Sequence, residues 1–213
     1  MIRGQDWSLV STSPERFLLA TPDRRVETRP IKGTRPRGAD ARSDAALVHE
    51  LDQDPKERAE LSMVVDVERN DLGRVARTGS VRVVGAPRVE TFGTVHHRVA
   101  TVAAWLRAGT SRTKLLEATL PSGSVTGAPK VRAMELIATL EAERRGLYTG
   151  AFGHVAHDGS MRLGMAIRAV TARDGVAHYH AGGGIVAESD PAREVEEVRW
   201  KTLRVLGLLG VSS

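Results

Sequence analysis

Residues 150–181 read GAFGHVAHDGSMRLGMAIRAVTARDGVAHYHA. Two dipeptides punctuate the stretch, Asp158-Gly159 and Asp174-Gly175, and each separates segments rich in Val, Ala, Met and Ile. Asp-Gly is a favoured hairpin connection, because type I′ turns need positive φ at both central residues and these two residue types reach it readily. The spacing predicts three successive antiparallel strands over 150–156, 161–171 and 176–181. Toward the N-terminus, Trp7-Ser8-Leu9-Val10, Phe17-Leu18-Leu19 and Val26 alternate with Pro and Gly breaks up to Ile31, again a pattern of strands and turns.

The middle of the chain mixes both element types. Residues 33–42 read as a basic loop broken by Gly and Pro, and Ser43 or Asp44 is placed to cap a helix running through Leu51. Asp54-Pro55 puts Pro in the first turn of a second helix, from Lys56 towards Asp66. Strands are expected over 81–84, 88–92 and 95–102, and a short helix over 113–120. A loop of small residues, Ser122 to Pro129, then feeds a helix over 130–144. The last helix opens near Asp190-Pro191 and gathers Val195, Val198, Leu203 and Leu206 on one side. Strand meanders interspersed with helices indicate an α+β fold of largely antiparallel sheets with flanking helices, a single domain over 1–213 without internal repeat.

Composition removes several function classes. The 213 residues are 41% hydrophobic, enough for a real core, and contain no cysteine, so disulfides, thiolate metal sites and cysteine nucleophiles are excluded. No apolar run approaches a membrane span and no signal-peptide pattern opens the chain, which makes the cytoplasm the expected location and a membrane an unexpected partner. The net charge of +5 and pI of about 10.1 invite nucleic acid. Yet 31 basic residues are interleaved with 26 acidic ones, and 4% aromatic content leaves few stacking platforms, so no nucleic-acid partner is expected. A small anionic substrate would also be drawn to such a surface. His-x-x-His at 154 and 157 and His-x-His at 178 and 180 have metal-like spacing, but they fall in strand-like segments that argue against zinc.

Chemistry is concentrated in three places. Pro30-Ile31-Lys32-Gly33-Thr34 offers an amine, and Glu57/Glu60 and Glu194/Glu197 are Glu-x-x-Glu pairs on predicted helices. Residues three apart share a helix face, so two such helices can aim four carboxylates at one point, an oxygen-rich setting that suits Mg2+.

Several further segments, in order, carry a resemblance. They are Ser13-Pro14-Glu15-Arg16-Phe17, Arg29-Pro30-Ile31-Lys32-Gly33-Thr34, Arg58-Ala59-Glu60 followed by the run from Val65 to Gly73, Gly127-Ala128-Pro129-Lys130, and Ala181-Gly182-Gly183-Gly184-Ile185-Val186. Together they resemble the chorismate-utilising enzymes, the large subunits of anthranilate synthase and aminodeoxychorismate synthase. The resemblance runs from about Gly4 to the C-terminus and implies the C-terminal portion of that family's α/β sandwich, incomplete at the N-terminus, since these enzymes are usually about twice this length. It implies chorismate as substrate, Mg2+ as cofactor, and ammonia delivered by a glutamine amidotransferase.

Residue by residue, the resemblance assigns roles. Anthranilate synthases resemble Pro-Ile-Ala-Gly-Thr where this chain has Lys32, whereas aminodeoxychorismate synthases carry lysine, which attacks ring carbon C2 and expels the C4 hydroxyl before ammonia enters at C4. Glu15 matches the general acid or base near the leaving hydroxyl. Glu60 and Glu197, with Glu57 and Glu194 behind them, match the Mg2+ ligands. Gly33, Thr34, His97, Ser124, Tyr148 and Arg168 match substrate contacts, and Gly182, Gly183 and Gly184 offer backbone N–H groups to a carboxylate. Arg168 is expected on the strand face opposite Met165, Ile167 and Ala169. Ala100 departs from the family's usual serine. The implied activity is formation of 4-amino-4-deoxychorismate for p-aminobenzoate and folate biosynthesis, with anthranilate synthesis, or chorismate and Mg2+ binding without turnover, as alternatives.

Overall fold

The computed structural model describes residues 1–187, 189–208 and 210. The chain opens with strands β1 (Ile2–Arg3), β2 (Trp7–Ser11), β3 (Arg16–Ala20), β4 (Arg25–Arg29) and β5 (Ile31–Pro36), then helices α1 (Ala41–Gln53) and α2 (Pro55–Gly73). Strands β6 (Arg82–Val83), β7 (Arg88–Thr91), β8 (Val95–Val99) and β9 (Val102–Trp105) follow, then α3 (Arg112–Thr119), a 3-10 turn at Gly123–Val125 and α4 (Lys130–Leu140). Strands β10 (Ala151–Val155), β11 (Met161–Met165), β12 (Ala169–Arg173) and β13 (Val176–Tyr179) lead to α5 (Pro191–Leu208). The fold is α+β, and every strand pair among the described residues is antiparallel.

Three sheets result, ordered β1-β2-β12-β13, β10-β11-β3-β4-β9-β6 and β5-β8-β7. Neighbouring strands change sheet together. Between β2 and β3, and between β11 and β12, two short connections run side by side: the Ser11 hydroxyl donates to Ile167 O at 3.1 Å, Thr12 N–H to Arg168 O at 3.1 Å and Met165 N–H to Glu15 O at 3.0 Å. Pro30, between β4 and β5, faces the connection between β8 and β9 in the same way, its carbonyl accepting from Ala100 N–H at 3.2 Å. Such corners keep backbone groups partnered where a sheet bends or splits.

The structure corrects several sequence expectations. Residues 161–171 form two strands in different sheets, because Arg168 takes a φ of 46° and turns the chain; Arg168 therefore lies in a corner and not on a strand face. The segment 95–102 likewise splits into β8 and β9. Lys32, Gly33 and Thr34 sit in a strand and not in a loop, since β8 supplies a hydrogen-bonding ladder that composition does not reveal. Asp40, ahead of Ser43 and Asp44, caps α1 through a reciprocal box with Ser43. Helix α2 passes Asp66 to Gly73, prolonged by the buried row Val64, Val65, Glu68 and Leu72, while α4 stops at Leu140. Of the two Asp-Gly turns, Asp174-Gly175 has the two positive φ values, 51° and 77°, and sets Arg173 opposite Val176; at Asp158-Gly159 only Gly159 has positive φ, and the loop is longer.

The core fills the space between the six-stranded sheet and helices α2 and α3. Phe17, Leu18, Val26, Val102, Met161 and Met165 from the strands meet Leu61, Leu72 and Leu115 from the helices. This packing holds α2 beside β5 and β9, which decides where Glu57 and Glu60 lie relative to Lys32.

Strand β5 contains a bulge. Lys32 pairs with Arg98 and Thr34 with His97, leaving Gly33 as the extra residue at a φ of 80°. A β-carbon there would lie 2.6 Å from Leu51 Cδ1 and 3.0 Å from Glu57 Cδ. Gly33→Ala is therefore expected to destabilise the fold by about 1–3 kcal/mol, read as a lower urea midpoint at unchanged slope. An unchanged midpoint would remove the steric argument.

Candidate active site

The bulge aims Lys32 towards α2. Its side chain is 16% exposed, with Nζ 3.5 Å from Glu60 Oε2 and 3.5 Å from the Ser124 carbonyl oxygen. Glu60 projects from the buried face of α2 and is itself 7% exposed. The glycine run after β13 covers this pair. A β-carbon on Gly184 would lie 3.0 Å from Glu60 Oε2 and 3.4 Å from Lys32 Nζ, on Gly183 3.2 Å from Glu194 Oε2, and on Gly182 3.0 Å from Tyr148 Oη. Three successive glycines thus bring backbone close to four different polar side chains, which residues with side chains would obstruct.

Glu15 lies in the corner between β2 and β3 and is buried. The Ser124 hydroxyl donates to its Oε1 at 2.5 Å, so the residue whose carbonyl faces Lys32 also holds Glu15. Burial pushes the Glu15 carboxyl up to about 7, outweighing the hydrogen bond from Ser124 and the charge of Lys32, which both lower it. Behind Glu15 sits a second buried carboxyl. Glu68 accepts from Thr28 Oγ1 at 2.8 Å and from Ser122 Oγ at 3.2 Å, and burial, followed by the proximity of Glu15, pushes it up to about 8. Asp71, the next acid along α2, pairs with Lys130, whose ammonium also donates to the Pro121 carbonyl at 2.6 Å.

The four glutamates of the two Glu-x-x-Glu pairs come to one end of α2, with lysines among them. Lys56 lies 2.7 Å from Glu194 Oε1 and 3.7 Å from Glu60 Oε1. Glu57 is raised by burial and then by Glu60 and Asp54, and Glu197, exposed, pairs with Lys201 at 2.6 Å. No group of three or more carboxylate or imidazole side chains among the described residues is drawn into a metal-ready cluster. The donor set nevertheless fits a hard cation: the oxygens are carboxylates, and Glu194 Oε2 is buried without a hydrogen-bond partner while facing Gly183. Lys56 takes the place beside these carboxylates that an external cation would contest.

The other matched residues gather nearby. Thr34 Oγ1 and His97 Nδ1 are 2.9 Å apart across the bulge. Burial, then the charge of Arg168, lowers the His97 pKa against a hydrogen bond to the Gly33 backbone, which keeps the ring neutral. Tyr148 stacks on His180 with ring centroids 5.4 Å apart. Sequence reasoning missed Lys56, Ser122 and Glu68. The last lies inside the Val65 to Gly73 run, and its spacing of three residues from Val65 and seven from Leu61 on one helix face was the signal that it is buried.

Comparison with known proteins gives this arrangement a context. A family model described as chorismate binding enzyme matches residues 1–207. Anthranilate synthase component 1 of Thermus thermophilus is 50% identical over 198 residues, 93% of this chain and 42% of the relative. Aminodeoxychorismate synthase component 1 of Klebsiella aerogenes is 48% identical over 206 residues, 96% and 45%. Among solved structures, anthranilate synthase component I from Streptococcus pneumoniae superposes with a TM-score of 0.82 at 39% identity, covering 92% of this chain and 43% of that one. The menaquinone-specific isochorismate synthase of Escherichia coli gives 0.84 at 25% identity, covering 96% and 46%. The chain spans less than half the length of these proteins.

Glu15 leads to a stability test. Its carboxyl is raised from 4.5 to about 7, so between those values the unfolded chain releases a proton that the folded one keeps. The sign follows: the contribution is full below pH 4.5 and is lost as pH rises to 7, by up to about 3 kcal/mol. Glu15→Gln removes it, so the variant is expected to gain stability relative to wild type as pH rises across that window, in paired urea titrations. A difference that stays constant with pH would show that Glu15 ionises freely.

Proposed function

This chain belongs to the family of chorismate binding enzymes, and from that premise we propose that it carries the aminating site of an aminodeoxychorismate synthase component I. The reaction is conversion of chorismate and ammonia to 4-amino-4-deoxychorismate, a precursor of p-aminobenzoate and folate. One observation supports this reading above the others: the amine of Lys32 and the carboxyl of Glu15 are both held by Ser124, the first at its carbonyl and the second at its hydroxyl. A nucleophile and an acid are thereby fixed on either side of one residue.

The residues suit a balanced sequence. The neutral Lys32 amine adds to ring carbon C2, the double bond shifts, and the C4–O bond breaks as Glu15 delivers its proton, so that water leaves. Ammonia adds at C4, the double bond returns, and the C2–N bond breaks with its electron pair going back to Lys32. The proton shed by the new ammonium restores Glu15. A carboxyl raised to about 7 is available as an acid at neutral pH, which an ordinary glutamate is not. Glu60, Glu194 and Glu197, with Glu57 behind them, would hold Mg2+, which when bound neutralises the substrate's ring carboxylate and leaves Lys32 without Glu60 as its counter-ion. Arg168, Tyr148 and the N–H groups of Gly182 to Gly184 offer donors to chorismate's carboxylates, while His97 and Thr34 border the ring. Ammonia would come from a glutamine amidotransferase partner. Among the described residues no helix is long and apolar enough to cross a membrane.

Sequence identity alone does not separate this reading from anthranilate synthesis, since relatives of both names lie at 47–50%. Lys32 favours the amination at C4, because a lysine adduct at C2 directs ammonia there. A second reading, a unit that binds chorismate and Mg2+ without turnover, draws support from apolar exposure: α4 buries none of its residues, and Trp200 is 66% exposed.

Two outcomes are expected. Purified protein given chorismate, Mg2+ and ammonium should form aminodeoxychorismate, identified by mass, and Lys32→Ala should lose at least about a hundredfold; 2-aminobenzoate with pyruvate would establish the other branch, and binding without product the second reading. Glu60→Gln should weaken Mg2+ binding measured by calorimetry about tenfold or more, and unaltered affinity would remove Glu60 from the ligand set.

A further inference from the structure

Glu68 is a buried carboxyl that the reaction above leaves idle. It sits at 5% exposure on α2, beside a small cavity that Thr28, Asp71 and Ser122 also line. Its two oxygens accept from Thr28 on β4 and from Ser122 ahead of the 3-10 turn, while Asp71 on the same helix is already matched by Lys130. The Ser122 hydroxyl lies 3.4 Å from the Ser124 hydroxyl, which lies 2.5 Å from Glu15 Oε1. Two carboxyls are thus joined end to end by two hydroxyls, with Glu15, Glu68 and Ser122 buried and Ser124 half-buried.

That chain has two self-consistent hydrogen-bond directions. With the proton on Glu68, its O–H donates to Ser122, Ser122 to Ser124, and Ser124 to the Glu15 carboxylate. With the proton on Glu15, every donor reverses: Glu15 donates to Ser124, Ser124 to Ser122, and Ser122 to the Glu68 carboxylate. Passing from one to the other moves one proton per link and one proton overall, leaving both serines neutral. The charged groups around the pair are Lys32 at the Glu15 end and Asp71, held by Lys130, at the Glu68 end.

We propose that Glu68 is a positioning residue for the reaction at Glu15, the far end of a two-serine wire through which the two carboxyls hold one proton in common. The proposal rests on Glu15 acting as the acid in the reading above. With the shared proton on Glu68, its passage through the two serines protonates Glu15, which gives that proton to the leaving oxygen; both carboxyls are then ionised until the proton shed by the new ammonium returns to the pair. A negative Glu68 also disfavours ionisation of Glu15, because like charges so placed cannot both persist without cost.

The test is Glu68→Gln, which keeps size and hydrogen-bonding capacity but holds no exchangeable acid proton. In wild type and variant, the Glu15 carboxyl is titrated directly by NMR of protein carrying 13C-labelled glutamate, with Glu15→Gln assigning the signal, and kcat is followed against pH. The variant's Glu15 should ionise about one pH unit lower, the alkaline limb of kcat should move with it, and KM should stay the same. A purely structural role would change the unfolding midpoint without moving either titration. If Glu68→Gln does not fold, Ser122→Ala cuts the wire while leaving both carboxyls, and kcat should fall about tenfold at unchanged KM. An unmoved Glu15 titration in Glu68→Gln, or full activity in Ser122→Ala, would overturn the proposal. Should wild type turn over no chorismate while its Glu15 titration still shifts on Glu68→Gln, the coupled pair stands and the proposed reaction fails.

Discussion

Glu60 and Lys32 face each other at 3.5 Å where neither has much water, and the surrounding structure is arranged around that pair. Removing either charge from solvent is costly unless the other stays close. Their positions therefore cannot drift independently, and three separate features fix them: the bulge at Gly33, the packing of α2 on the sheet, and the glycine run whose backbone lies against both groups. Tolerance is low at each. A side chain on Gly184 would contact the Glu60 carboxylate, and one on Gly33 would enter the space of Leu51 and Glu57.

The same constraint explains why the site lies where strands change sheet. A continuous strand has its backbone groups committed to neighbours and its side chains alternating between two faces. A corner frees both. Glu15 and Arg168 occupy one pair of adjoining corners, and Lys32 and Ala100 flank another, so residues distant in sequence converge while their backbones remain hydrogen-bonded across the gap. The sandwich supplies rigidity and the corners supply direction.

Much of this was legible in the chain. Asp-Gly dipeptides and alternating apolar residues marked the strands, and Asp54-Pro55 marked the start of α2, because turn and cap chemistry are local. The corners were not legible, since nothing local distinguishes the strand interior at Ile167 from the turn at Arg168; only pairing with β2 on one side and β3 on the other forces the break. Residues carried by motifs, such as Lys32, Glu60 and Gly182 to Gly184, were singled out by the sequence, and the structure brings them together. Ser122 and Glu68 were passed over because their significance depends on a hydrogen-bonded link through Ser124 to Glu15, more than fifty residues away, which sequence spacing does not encode.

Charge balance near α2 links these points. Lys32 and Lys56 both approach Glu60, one at each oxygen, and Lys56 also holds Glu194. Two ammonium groups thus neutralise carboxylates that would otherwise repel one another. A dication held there would satisfy the same oxygens with greater charge density, so the two lysines and the cation compete for one set of donors. The competition separates the lysines by role. Lys56 has Glu194 as a second partner when displaced from Glu60, whereas Lys32 keeps only the neutral carbonyl of Ser124. The freedom of the Lys32 amine would then follow occupancy of the glutamates, because a cation that takes Glu60 releases Lys32 from its ion pair while Lys56 remains tied to Glu194.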